Sequence, residues 1–212
     1  VGWNTPEFWI SSQRREAIEG DITTDSSPGF PWNMVGKDNE EVIELNRTLL
    51  WQEIIRRLQY QRDNYDEIMK MSPSELVKNG VCDPVKVFVK KEPHSRKKLA
   101  TGMVRLIASV SLADQIITRL LCTRQNKREI QQWTSCPSKP GMGLNDEGIA
   151  TLVGNAQFIL EFGKIMATDV STWDWTVQPW ELDTDAKSRI KLAGVSENST
   201  VARLLRVHAY IV

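Results

Sequence analysis

Apolar residues recur along most of this chain at the three-to-four-residue spacing of a helix with one buried side. Beyond Trp32, Ile43, Leu50, Ile54 and Leu58 share a side, with charged residues between them. In 111–131, Leu112, Ile116, Ile117, Leu120 and Leu121 face inward, Ser111 and Asp114 form a capping-box-like pair, and Arg119, Arg124, Lys127 and Arg128 lie outside. Near the end, Leu182, Ala186, Ile190 and Ala193 make a third face closed by Gly194, and Asn198 starts a last helix. Thr5 and Pro6 open a helix that Gly20 closes, with Phe8, Trp9 and Ile18 on its core side. Ser72-Pro73-Ser74-Glu75 is a capping box ahead of a short helix stopped by Gly80, and Asn145 caps one that runs to about Ala156.

Two stretches break the helical period. Val85-Lys86-Val87-Phe88-Val89-Lys90 alternates, with lysine on its polar face, and Leu106, Ile107 and Ala108 begin a second strand, so the basic segment between them forms a protruding ribbon. Residues 165–170 are a compact apolar run, which predicts a short buried strand with Asp169 at its tip. Gln178, Pro179 and Trp180 are a helix entry, and Asp174 lies in the connection, where a turn after Val170 brings both carboxylates to one rim. Trp173 and Trp175 are expected to pack against the protein, not to stack on a base. Asp25-Ser26-Ser27-Pro28-Gly29-Phe30-Pro31-Trp32 is a loop of fixed shape, because two prolines and a glycine exclude helix and central strand. Taken by itself it reads as a turn plugged by Phe30 and Trp32, although its glycine could let backbone approach a ligand. The class is α+β, rich in helix, with short antiparallel strands.

Composition adds limits. With 212 residues, of which 41% are apolar and eight are tryptophan, one large or two modest domains are within reach. The three cysteines are too scattered for a zinc pattern and odd in number for a disulfide framework, so they read as reduced intracellular thiols. His94 and His208 are isolated and offer no ligand spacing. The chain begins at Val1 and stops at Val212 inside an apolar helical pattern, which reads as a fragment.

Zero net charge conceals a segregation. Lys86, Lys90, Lys91, Arg96, Lys97, Lys98 and Arg105 stand against Glu92 alone, a local balance of +6, whereas Asp169, Asp174, Glu181, Asp183 and Asp185 form an acidic block without a base. Either block alone is an ordinary solvated face. Together, a strip able to hold phosphates and a rim able to hold divalent cations suggest a nucleotide or nucleic-acid enzyme.

The run Phe88-Val89-Lys90-Lys91-Glu92-Pro93, through Lys98 and Gly102 to Arg105-Leu106-Ile107-Ala108-Ser109, resembles the basic finger motif, motif F, of the RNA-dependent RNA polymerases of positive-strand RNA viruses. Ser27-Pro28-Gly29-Phe30-Pro31 is similar to their template-entry loop, motif G, and Asp169-Val170-Ser171-Thr172-Trp173-Asp174 to their first palm motif, motif A. The motifs stand in the family's order, which makes the set far more specific than any one of them. The wording around the palm motif and the loop Lys139-Pro140-Gly141-Met142-Gly143-Leu144 looks most like the sobemovirus, barnavirus and polerovirus group.

The resemblance implies the fingers and first part of the palm of a right-hand polymerase: fingers over 1–163, with the template-entry loop at 26–32 and the basic ribbon at 85–109, and the start of the palm over 164–212. It implies template-directed transfer of ribonucleotides to an RNA 3′ end. Asp169 would be a ligand to Mg²⁺, with Mn²⁺ as the alternative ion. Lys90, Lys98 and Arg105 would hold the triphosphate, and Lys90 and Arg105 would also stabilise developing charge. Asp174 would face the ribose 2′ hydroxyl, Ser27, Gly29 and Pro31 would touch template RNA, and Glu92 would pair with a neighbouring cation and keep the ribbon's shape. Implied partners are template and nascent RNA, ribonucleoside triphosphates and other viral replication proteins, in a membrane-associated complex in the host cytoplasm. The family's other metal-binding aspartates belong to a later Gly-Asp-Asp motif, so these 212 residues alone are not expected to extend a primer. Rival readings are a non-catalytic RNA-binding or replication-complex module and a reverse transcriptase. The cationic hairpin is expected to face the acid-tipped strand across a gap of nucleotide size.

Overall fold

Helices account for nearly all of the regular structure. The computed structural model describes residues 12–211, the side chains at 12–14, 17 and 174 excepted. Thr5, Pro6, Phe8 and Trp9 therefore lie outside the described residues. The elements are α1 (Ser12–Glu19), a 3₁₀ turn (Trp32–Met34), α2 (Asn39–Asp63), α3 (Tyr65–Ile68), α4 (Pro73–Lys78), β1 (Lys86–Val89), α5 (Arg96–Ala100), β2 (Leu106–Ser109), α6 (Leu112–Gln131), α7 (Asp146–Phe162), α8 (Trp173–Thr176), α9 (Pro179–Ala193) and α10 (Thr200–Ile211).

The core is a helical one, made where α2, α6 and α10 meet, with α1 against α6 and α9 against α10. Leu50, Ile54 and Leu58 of α2 are fully buried against Leu112, Ile116 and Ile117 of α6 and Leu204 of α10, the faces expected from their spacing. Ile190 of α9 joins the same cluster, so residues on both sides of position 163 share one core. Capping follows the sequence: Ser111 accepts from the Asp114 N–H at the head of α6, both halves of the Ser72–Glu75 box form, and Gly194 closes α9 with φ of 63°. Polar ties support the apolar contacts, for the Trp51 indole donates to Glu19 Oε1 at 2.7 Å and fastens α1 to α2.

The α10 helix carries a partly buried histidine. Burial lowers the His208 imidazole from its ordinary value; the nearby Arg189 guanidinium adds to this and Asp185 opposes it. Because the folded value lies below the unfolded one, the stabilisation is complete above about pH 6.5 and is lost as pH falls through the folded value. The melting temperature should therefore drop on acidification below about pH 6.5, with a shallower drop for His208→Gln. Equal slopes in the two proteins would show that His208 is not the source.

β1 and β2 pair antiparallel, with Lys86 opposite Ser109 and Val89 opposite Leu106, as the alternation predicted. No other sheet occurs among the described residues. All four β1 residues are exposed, so the hairpin protrudes.

Three expectations need correction. Residues 165–170 form no strand, and Ile165, Met166 and Val170 are exposed. An apolar run becomes a strand only when a neighbour takes up its backbone N–H and C=O groups, and among the described residues β1 and β2 pair only with each other. Trp173 and Trp175 are exposed, at 50% and 71%, because α8 is a single turn entered through a left-handed Thr172 (φ 54°) in the same unpaired segment. Finally, α7 continues past Ala156 to Phe162, since nothing between them interrupts a helix before Gly163. Its apolar side chains, Leu152, Phe158 and Phe162 among them, are exposed, and Gly148 is its one buried residue among those described.

Candidate functional site

The hairpin gathers the cations. Beyond the last paired residues, the Lys90 N–H donates to the Arg105 carbonyl at 2.8 Å, which continues the ladder and sets the two side chains at the mouth of one loop. Between them stands Glu92. Its carboxylate takes Lys90 Nζ at 2.8 Å and an Arg105 guanidinium nitrogen at 3.4 Å. The hydrogen bond from Lys90, helped by Arg105, holds the Glu92 carboxyl below the usual carboxylate range. Arg105 remains well exposed, at 65% of its side chain. Lys98 lies in α5, where its N–H donates to the Ser95 hydroxyl at 3.3 Å and its side chain is open to solvent. The hairpin thus carries an exposed cationic loop in which one carboxylate already binds two of the cations, an arrangement suited to exchanging that carboxylate for another anion.

The α5 helix was not anticipated. Ser95, three residues before Lys98, is the capping signal that marks it inside the basic segment between the strands.

Below the hairpin lies a buried charge network. Arg57, 3% exposed, donates to Asp83 Oδ1 at 2.7 Å, to Asp114 Oδ1 at 2.9 Å and to Glu53 Oε1 at 2.7 Å. The Asp83 N–H donates to Asp114 Oδ2 at 2.9 Å, and the Ser111 hydroxyl to the same oxygen at 3.0 Å. Burial works against the charge on Arg57, yet the hydrogen bond to Asp83 and the Asp114 carboxylate raise the guanidinium above its ordinary value. Burial pushes the Asp114 carboxyl up, and Arg57 pulls against it. A cavity of about 340 Å³ opens beside this network, lined by Cys82, Asp83, Val110, Asp114, Gln115 and His208. Burial pushes the Cys82 thiol up to about 11, which leaves it protonated and unreactive at neutral pH. The helical pattern revealed the cap at Ser111 and Asp114, but not the partner 57 positions earlier in the chain.

The loop at 26–32 packs onto the return of the hairpin. Gly29 has φ of 67°, and a Cβ there would lie 2.7 Å from the Val110 carbonyl oxygen and 2.8 Å from Ser111 Cα. The close approach that this glycine allows is therefore between two stretches of the protein's own backbone. The Leu112 N–H donates to the Pro28 carbonyl at 2.8 Å and completes the joint. Ser27 is exposed, Gly29 buried, and Pro31 half-buried ahead of the buried Trp32.

Asp169 lies in exposed coil, and no hydrogen bond or ion pair involves it among the described residues. The side chain of Asp174 lies outside those residues. No group of three His, Cys, Asp or Glu side chains among the described residues could cage a metal ion. Neither Arg105 nor Asp169 lines any of five surface cavities among the described residues, so the expected gap shared by hairpin and acid is not one of these five. Among the described residues no strand pairs with 165–170 to fix Asp169 relative to the hairpin.

A family model described as viral RNA-directed RNA-polymerase matches residues 10–188. The chain belongs to this family. The match takes in the loop at 26–32, the whole hairpin and both aspartates of the 169–174 segment. Among relatives, the RNA-directed RNA polymerase of Mushroom bacilliform virus is 53% identical over 198 residues, covering 93% of this chain and 47% of that protein. The replicase polyprotein P2AB of Cocksfoot mottle virus is 42% identical over 188 residues, covering 88% and 20%, and Protein P1-P2 of Turnip yellows virus is 43% identical over 145 residues, covering 63% and 14%. These are barnavirus, sobemovirus and polerovirus proteins, the group whose wording the palm segment resembles. The chain spans about half the length of the first and a smaller share of the other two. No solved structure gives a significant match.

Proposed function

We propose that this chain supplies the nucleotide-gripping and template-entry parts of a viral RNA-directed RNA polymerase, with fingers over 1–163 and the start of the palm from 164. The observation that carries the reading is the pairing of Lys90 and Arg105 across the mouth of an exposed hairpin, with Glu92 between them. A triphosphate offers these cations the same anionic oxygens as Glu92 and more of them, so it displaces the carboxylate and binds Lys90, Arg105 and, from α5, Lys98. As pyrophosphate leaves, the same cations meet the charge that develops on it. Template RNA passes along the exposed Ser27 and the half-buried Pro31, while the Gly29 expected to join them is buried and fastens this loop to the hairpin's return.

Asp169, exposed and free of ion pairs among the described residues, fits a hard divalent cation such as Mg²⁺ or Mn²⁺ as one oxygen donor of a larger set. Such an ion, when bound, activates the 3′ hydroxyl and screens the leaving pyrophosphate. Asp174 accepts from the ribose 2′ hydroxyl, the group that separates RNA precursors from DNA precursors. RNA template, nascent strand and ribonucleoside triphosphates are then the partners, inside the host cell, with other replication proteins of the virus. No described helix is long and apolar enough to cross a membrane.

Steady-state incorporation by the full-length polymerase tests the reading. Arg105→Ala should lower kcat/KM for ribonucleoside triphosphates by about a hundredfold, through a higher KM and a lower kcat together, while RNA affinity changes little. Unchanged nucleotide kinetics would remove Arg105 from the site and overturn the proposal.

A further inference from the structure

The hairpin has no packing of its own to aim it. Every β1 residue is exposed, β2 is exposed except at the partly buried Ile107 and the buried Ser109 at its end, and the loop carrying Lys90, Lys98 and Arg105 reaches further out. Its direction must be set where the chain leaves the core and where it returns. The chain leaves at Asp83, just before β1, and returns at Asp114, in the first turn of α6 after β2. One side chain holds both places. Arg57, on the long helix α2, donates through one terminal nitrogen to Asp83 and through the other to Asp114, and the Asp83 N–H closes the triangle on Asp114. Its third bond, from Nε to Glu53 one turn earlier on α2, fixes the plane of the guanidinium.

We infer that Arg57 is a positioning residue for nucleotide binding: its planar fork fixes the separation and tilt of the hairpin's two roots, and so places Lys90 and Arg105. The inference rests on the proposed role of those two cations and extends it to a buried residue that touches no substrate. A small rotation at the root is amplified at the loop, because the strands between are paired to each other and to nothing else. The planar fork matters as much as the charge, since a lysine reaches one carboxylate well and not two at fixed angles.

The test compares Arg57→Lys with the wild type in the full-length polymerase, with Arg105→Ala and the double variant alongside. Arg57→Lys should raise the apparent KM for ribonucleoside triphosphates on the order of tenfold, with RNA affinity nearly unchanged, because misplaced contacts are costly. Once Arg105 is gone, Arg57→Lys should add less, since only Lys90 and Lys98 remain to be aimed. A role confined to folding predicts the reverse: fewer active molecules, a lower melting temperature and an unaltered KM, and that result overturns the inference. So does a full, additive effect in the Arg105→Ala background. If Arg57→Lys fails to fold, Asp83→Asn loosens the departing root alone and is read by the same KM shift and the same cycle. An Arg105→Ala enzyme with normal KM defeats the triphosphate reading and this inference with it, whereas a shift in Arg105→Ala without one in Arg57→Lys or Asp83→Asn defeats only the inference.

Discussion

Asp169→Asn in the full-length polymerase is expected to lower nucleotide incorporation by on the order of a thousandfold while leaving RNA affinity and melting temperature almost unchanged. The substitution keeps the shape of the side chain and removes its charge, and a neutral amide oxygen is a poor ligand for a hard divalent cation. A metal ion contributes several kcal/mol of transition-state charge stabilisation, and each 1.4 kcal/mol or so is a factor of ten in rate. Stability should be spared because Asp169 is exposed and joins no ion pair among the described residues. Single-turnover incorporation with Mg²⁺, beside an RNA-binding isotherm, gives the two readouts. Turnover close to the wild-type rate would remove Asp169 from the metal site, and loss of RNA binding would assign it a different role.

The second large effect falls on stability. Arg57→Met should destabilise the fold by about 3–5 kcal/mol, because it leaves Asp83 and Asp114 buried without their cation. The size follows from burial: the Arg57 side chain is 4% exposed and those of its two partners 10% and 11%, so water cannot screen what remains. Replacing all three, as Arg57→Met with Asp83→Asn and Asp114→Asn, should recover a large part of the loss, since a buried network removed whole costs less than one broken in half. Urea denaturation midpoints check both proteins. A loss below about 1 kcal/mol for Arg57→Met would place these groups in the class of weak surface pairs and contradict the geometry.

Between the two effects lies a distinction in what controls this chain. Asp169 is a chemical choice, and one residue type at one motif position carries it. Arg57 is a structural device, and its consequences for the site travel through backbone.

The hairpin shows how far local pattern reaches. The alternation around Val87 and the strand beginning at Leu106 were enough to expect a protruding ribbon, because a strand's two faces are written in consecutive residues. The pairing of Glu92 with a cation could be expected from its isolation among bases, but that it takes both Lys90 and Arg105 depends on the register of the hairpin. Gly29 is a harder case. Its position in a Pro-Gly loop was plain, yet whether it admits a ligand or another stretch of the chain is settled by the Val110–Ser111 backbone, about 80 residues away.

The segment at 165–170 marks the opposite limit. Its residue types suit a strand, but strand formation is a property of two segments, and the apolar run remains exposed where no partner lies beside it. Trp173 and Trp175 share that fate, since large aromatic side chains are buried only where a surface exists to cover them.

By itself, then, the order of residues determined what depends on near neighbours: the faces of α2 and α6, the caps at Ser72, Ser111 and Asn145, the β1–β2 hairpin, and the motif residues by which the family is recognised. The tertiary structure alone decided that Arg57 joins Asp83 to Asp114, that the loop at 26–32 is part of the hairpin's root, and that 165–170 has no strand to pair with. The reason is one of range. Helical periodicity and capping act over three or four residues, whereas hydrogen bonds between distant segments and the exclusion of water from a charge depend on which surfaces the folded chain brings together.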